Sequence, residues 1–250
     1  MHLPAKVSRG WAWLPGPLAM GVSTILVAVK ATGLPLSIPG ATLFMAGVVT
    51  AYTWDRWADC PVGPRPTWCL VASVVAAMVG LVIAAWLPLE KIAIAVGLGL
   101  LGLGYRRLKK FPLLKTGLIA LAWAAAGVGF PVEPLPSLEI SLRLGAVLFA
   151  MFAAGALLCD FKDVADDARG GVRTAQVLWG RAVAAGLAAA LAVAGVALAL
   201  TMNRPGLVCS GLVLAGLSFF PQIVSRPVLG PLLVDGALAL PAVFILSGLA

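Results

Sequence analysis

The chain has 250 residues, of which 61% are hydrophobic and only 11% charged, and its formal charge is +8. A soluble domain of this size needs far more polar surface to cover its core, so that class is excluded. The positive charge fits basic loops on one side of a membrane and an anionic substrate better than it fits nucleic acid. The four cysteines stand at 60, 69, 159 and 209 with no C-x-x-C pair, which indicates neither a disulfide framework nor a zinc site.

In chain order, nine apolar stretches of membrane-spanning character follow one another, at about 14–32, 37–54, 68–88, 90–105, 114–131, 138–159, 178–201, 206–224 and 230–249. They are apolar all round and do not alternate as barrel strands do, so they predict helices. The basic Lys6 and Arg9 before the first stretch look like the start of a secretion signal. Apolar segments continue to the C-terminus, however, so residues 14–32 read as the first span. Proline and glycine punctuate most gaps. The fourth stretch is the shortest and is where the count is weakest. The expected architecture is all-α: one integral membrane domain over 1–250, a bundle of about nine spans around a central cavity.

With the N-terminus on the cytoplasmic side, fourteen of the eighteen Lys and Arg fall inside, and Lys30, Lys91, Arg143 and Arg204 fall outside. The positive-inside rule therefore predicts N-terminus in and C-terminus out. Gly97, Gly99 and Gly102 match G-x-G-x-x-G, but no strand pattern precedes them, so close helix packing is the better reading.

Six of the ten acidic residues sit in two short segments, 55–59 and 160–167, each after an apolar stretch and both on the predicted cytoplasmic side. In so apolar a chain, ionisable groups at span ends are functional candidates. Asp160, Asp163 and Asp167 are spaced i, i+3 and i+7, which places them on one face of a continuous helix. Three carboxylates so close repel unless a cation lies between them, and Mg²⁺ takes hard oxygen ligands while keeping waters that a phosphate can displace. Asp166 points elsewhere, to solvent or a local cap. Asp55 and Asp59, at i and i+4, form a second pair, with Arg56 and Arg65 placed to meet phosphate oxygens. Two facing acidic helices with basic residues around them suggest a diphosphate whose leaving Mg²⁺ would assist. The cation left behind needs a dry, partly aromatic chamber, for which Trp54, Trp57, Trp68 and Trp123 are candidate walls.

The run Asp160, Lys162, Asp163, Asp167, Gly171, Arg173, Thr174 fills every written position of D-x-K-D-x-x-x-D-x-x-x-G-x-R-T, the second Asp-rich motif of the UbiA superfamily of intramembrane prenyltransferases. Gly180 also fits. Tyr105-Arg-Arg-Leu-Lys109-Lys110-Phe-Pro112-Leu-Leu-Lys115 resembles the family's basic connection between the fourth and fifth helices, where Tyr and Lys approach the diphosphate. The first motif, usually N-D-x-x-D-x-x-x-D, departs. Aligned on Tyr52, Asp55 stands at the Asn position, Arg56 at the first Asp, Asp59 at the second and Gly63 at the third.

The resemblance implies Mg²⁺-dependent ionisation of a prenyl diphosphate and transfer to a lipophilic, often aromatic, acceptor. It makes Asp55, Asp59, Asp160, Asp163 and Asp167 metal-holding catalytic residues. It makes Tyr52, Arg56, Arg65, Tyr105, Lys109, Lys110, Lys115, Lys162 and Arg173 substrate-binding residues. It also implies an integral protein of a bacterial or archaeal-type cell membrane, with lipids and no nucleic acid as partners. Two alternatives remain: a terpene cyclase on the same scaffold, and a non-catalytic transporter or lipid-binding protein. Asp235, in the last span, either positions an acceptor or bonds within the bundle.

Overall fold

The computed structural model describes residues 14–58 and 65–249. Its helices are α1 (Pro15–Thr32), α2 (Ile38–Ala58), α3 (Thr67–Ala84), α4 (Leu89–Leu108), α5 (Leu114–Gly129), α6 (Leu138–Cys159), α7 (Val164–Arg169), α8 (Ala175–Thr201), α9 (Pro205–Ser218), α10 (Pro221–Val224) and α11 (Leu229–Leu246), with a 3₁₀ turn at Asp160–Lys162. The ends follow local chemistry. Pro15 and Pro205 stand in the first helical turn, where a missing N–H costs nothing. Gly33, at φ 68°, ends α1 and donates its N–H to the Val29 carbonyl.

Among the described residues, nine helices have fourteen residues or more. Five are long and apolar enough to cross a membrane: α1, α3, α6 continued through the 3₁₀ turn, α8 and α11. The chain is an integral membrane protein. The fourth stretch, expected to be the shortest, is a full helix of 20 residues. The eighth is cut instead, because the Phe220–Pro221 step divides it into α9 and the four-residue α10.

Helix α6 is the most deeply buried of the five spanning helices and packs against α5, α8 and α11. Helix α8, which packs against both α6 and α9, buries small residues four apart. Ala184, Ala188 and Ala192 are completely buried, and Gly195 lies against Met151 of α6 at a distance that leaves no room for a Cβ. Apolar side chains gain nothing by leaving lipid for one another, so close backbone approach through small residues holds such helices together. Helix α4 behaves differently. Gly97, Gly99 and Gly102 have nothing within 4 Å of where a Cβ would stand, so they do not mediate the helix packing their spacing suggested. They lie on an open face.

One end of the bundle is closed by a buried lysine. Lys91 is 0% exposed, and its ammonium donates to the carbonyls of Phe130 (3.2 Å) and Val132 (2.6 Å). Glu133 stands 3.7 Å from it and accepts from the Ser37 hydroxyl at 2.9 Å. The backbone adds Ser37 N–H to Pro131 and Glu133 N–H to Pro35. This clamp ties the starts of α2 and α4 to the end of α5. The chain therefore reverses there, and the ends of α2, α4 and α6 come together at the opposite end. Replacing Lys91 by Met strands two carbonyls in an apolar setting at a cost of about 2–4 kcal/mol. Thermal unfolding in detergent should show a midpoint several degrees lower, against no change for the exposed Arg169→Gln.

Candidate functional site

At that opposite end, three contacts bring separate segments together. Arg106 of α4 donates to the Ala58 carbonyl at the end of α2 (3.2 Å). Leu113 N–H, just before α5, donates to the Arg173 carbonyl just before α8 (3.1 Å). Tyr52 of α2 lies in electrostatic range of Cys159 at the end of α6 and of Asp235 in α11. Residues 55–58 and 160–167 therefore share one end of the molecule.

The centre of this end is Lys115. Its ammonium sits 2.8 Å from Asp160 Oδ1 and 2.9 Å and 3.2 Å from the two oxygens of Asp167. All three side chains are largely enclosed, at 15%, 7% and 12% exposure. Leu113 holds a left-handed backbone conformation, φ 60°, which a Cβ-bearing residue adopts at some cost. This reversal, after Pro112, starts α5 with Lys115 aimed inward. On the other side, Gly171 at φ 69° lets the chain turn after α7, and the Val172 N–H caps the Asp167 carbonyl at 2.8 Å.

The continuous helical face expected over 160–167 is not what forms. Residues 160–162 make a 3₁₀ turn, Asp163 leaves helical geometry at φ −107°, ψ 5°, and α7 starts afresh at Val164. Asp160 and Asp167 still converge, because both reach the same ammonium. Asp163 does not join them. It binds the Lys162 ammonium at 2.6 Å. Among the described residues, no three acidic, histidine or cysteine side chains stand close enough to hold a metal ion together. The pair Asp160–Asp167, with Lys115 between, is what is built. Asp166 is exposed and pairs with Arg169, as its position outside the shared face implied.

The other expected residues fall around this centre. Asp55 and Arg56 are exposed on the last turns of α2, while Asp59 lies outside the described residues. Arg65 stacks over the Trp57 ring at 4.8 Å, and Lys109 approaches the Tyr105 ring at 5.6 Å. Lys110 and Arg173 are exposed at the same end. Trp54 and Trp57 are not chamber walls: their rings meet at a tilt of 41° beside Arg65 at the end of α2, and Trp54 is exposed. The inner aromatic group is Trp123 stacked on Phe152 at 4.3 Å, with Phe44 edge-on at 5.6 Å. Sequence reasoning missed Phe44 and Phe152, which sit inside uniformly apolar runs where no pattern separates them.

Two observations bear on a cation. Asp160 Oδ2 is buried and has no hydrogen-bond partner, and carboxylate oxygens are the hard donors Mg²⁺ takes. Mg²⁺ is commonly held by only one or two carboxylates, with phosphate and water completing its shell. The pair therefore fits the ion without a third protein ligand.

A helical membrane bundle with an enclosed ammonium–carboxylate cluster at one end is the class this arrangement defines. The particular fold is that of the UbiA homologues. The chain resembles the apo UbiA homologue of Aeropyrum pernix with a TM-score of 0.73 at 15% identity, over 93% of this chain and 98% of that one. It resembles an Archaeoglobus fulgidus UbiA homologue bound to DMAPP and Mg²⁺ at TM-score 0.61 and 16% identity, over 96% and 98%. A digeranylgeranylglyceryl phosphate synthase matches at TM-score 0.57 and 15% identity, over 98% and 99%. No protein-family model matches the sequence, and no curated protein does.

The Lys115 bridge has a measurable consequence. Replacing Lys115 by Met leaves two enclosed carboxylates facing each other, a loss of about 3 kcal/mol. Unfolding of Lys115→Met in detergent should start at lower temperature, and millimolar Mg²⁺ should restore part of the loss. Asp167→Asn in the same background should remove the Mg²⁺ effect.

Proposed function

We propose that the chain is a UbiA-superfamily prenyltransferase that ionises a prenyl diphosphate at the Lys115–Asp160–Asp167 cluster and transfers the prenyl group to a lipophilic acceptor. The single observation that carries this reading is two enclosed carboxylates from one motif held around one ammonium at the end of an apolar bundle. The fold shared with homologues bound to DMAPP, GPP and Mg²⁺ supports it.

In this reading Asp160 and Asp167 would hold Mg²⁺, which would neutralise charge on the leaving diphosphate, while Asp163 keeps Lys162 beside them. Lys115 then turns its ammonium from the carboxylates to a phosphate oxygen. Lys162, Lys109, Lys110, Arg65 and Arg173 surround the same end and present further cations to the diphosphate. Tyr105 and Tyr52 stand beside them, and Arg56 with Asp55 and Asp59 make the second, atypical half of the site. The prenyl chain extends from this end into the bundle, where Trp123 and Phe152 offer ring faces to the allylic cation and exclude water. The cluster belongs to the cytoplasmic side, on which the Lys and Arg excess falls.

The reading is tested with purified protein, Mg²⁺ and geranyl, farnesyl or geranylgeranyl diphosphate. Diphosphate release should fall at least 100-fold in Asp160→Asn and in Asp167→Asn and should stop on chelation of Mg²⁺. Undiminished release in either variant would remove the metal assignment. A cyclic product formed without an added acceptor would place the chain with the terpene cyclases of this fold.

A further inference from the structure

At the end of the bundle that carries the Lys91 clamp, two other cations face one groove. Lys30 stands in the last turn of α1, and Arg204 immediately precedes α9. Together they line an open groove whose remaining walls are apolar: Val27 from α1, Leu207 from α9, and Pro241 and Ile245 from α11. No acidic residue lines it.

The other basic side chains of that end have partners in the fold. Lys91 spends its ammonium on two carbonyls, and Arg143 pairs with Glu139 at 2.7 Å. Arg204 is placed with similar care but left incomplete. Asn203, at φ 53°, reverses the chain after α8, and the Arg204 N–H bonds the Ala199 carbonyl at 3.2 Å. That turn directs the side chain toward α1, where Nη2 reaches the Ala31 carbonyl only at 3.5 Å. Its Nε is buried and has no hydrogen-bond partner. The carboxyl end of α1 attracts both cations. A contact so long is nevertheless a weak use of a guanidinium, and a buried donor without an acceptor is costly.

A ligand for this groove must therefore be anionic at one end and apolar at the other. The guanidinium fork matches a phosphate, and a nearby ammonium adds a second charge to the same group. Basic pockets between membrane helices bind lipid head groups on this principle. The depth also fits, because Lys30 and Arg204 stand at helix ends, where a spanning helix meets the headgroup layer. A free phosphate would meet the cations but gain nothing from the apolar walls.

We propose that this groove binds an anionic phospholipid from the leaflet opposite the Lys115 cluster, with its phosphate on Lys30 and Arg204 and an acyl chain along Val27, Leu207 and Ile245. The lipid then joins α1, α9 and α11 at the end where α1 and α9 otherwise meet through a long Arg204 contact.

The test is photolabelling of the full chain in phosphatidylcholine nanodiscs, using phosphatidylglycerol with a diazirine in its acyl chain, and locating the label by peptide mass spectrometry. Wild type should be labelled around Leu207 and Ile245, and unlabelled phosphatidylglycerol should suppress this while inorganic phosphate should not. Labelling there should fall about fivefold in Lys30→Gln, the effect of removing one of two charges from a headgroup site. Lys30 is exposed, so that variant keeps the fold. Arg204→Gln should lose as much, Arg204→Lys should keep part, and Arg143→Gln, at the same end, should label as wild type does. Equal labelling of Lys30→Gln and wild type, or equal labelling by a phosphatidylcholine probe, means bulk lipid contact and overturns the proposal. Suppression by millimolar inorganic phosphate assigns the groove to a free anion and overturns it as well. Prenyl diphosphate chemistry does not enter the readout, so failure of the transferase reading leaves this result untouched.

Discussion

An ammonium held between two carboxylates, at the end of a bundle that offers almost no other polar contact, is the constraint on which this protein depends. Lys115 comes from the start of α5, Asp160 from the turn after α6 and Asp167 from α7. Without the lysine the two acids would repel in a setting of low dielectric. Without the acids the lysine would be an uncompensated charge among apolar helices. Each is tolerable only because the others are present, and that mutual requirement fixes three chain segments against one another.

The two ends of the bundle solve related problems in different ways. Lys91 at the far end is fully buried and spends its donors on backbone carbonyls, with Glu133 and Ser37 completing a closed set. At the other end Asp160 keeps an unpartnered oxygen, and the exposed Lys110, Arg173 and Arg65 stand in reach of solvent. A closed polar set rigidifies a fold, whereas an incomplete one is where a ligand can contribute. The contrast separates a structural lysine from a functional one, although the two look alike as isolated charges in an apolar chain.

The aromatic residues show the same division. Trp54 and Trp57 belong to the surface at the end of α2, where Arg65 covers one ring. Trp123, stacked on Phe152 and 7% exposed, belongs to the interior. Composition counts all of these residues equally. Their helical phase and the identity of the facing helix decide which can meet a bound chain and which meet headgroups.

The sequence by itself determined the membrane class, the helical architecture, most helix boundaries and the pair of acidic segments, because all of these follow from local apolarity, proline and glycine placement, and charge spacing. It also carried the second Asp-rich motif at every written position. It misjudged the motif's shape: the break at Asp163 and the departure of that side chain to Lys162 depend on how the 3₁₀ turn packs beneath α8. It could not single out Lys115 from its basic neighbours, reject Trp54 and Trp57 as walls, or find Phe44 and Phe152. It placed Asp235 in a span but could not show that Gly16 makes room for it. Only the tertiary structure decided these matters. In a chain whose helices are apolar on every face, no periodicity marks the inward side, so the partners of a charge are set by which helices meet.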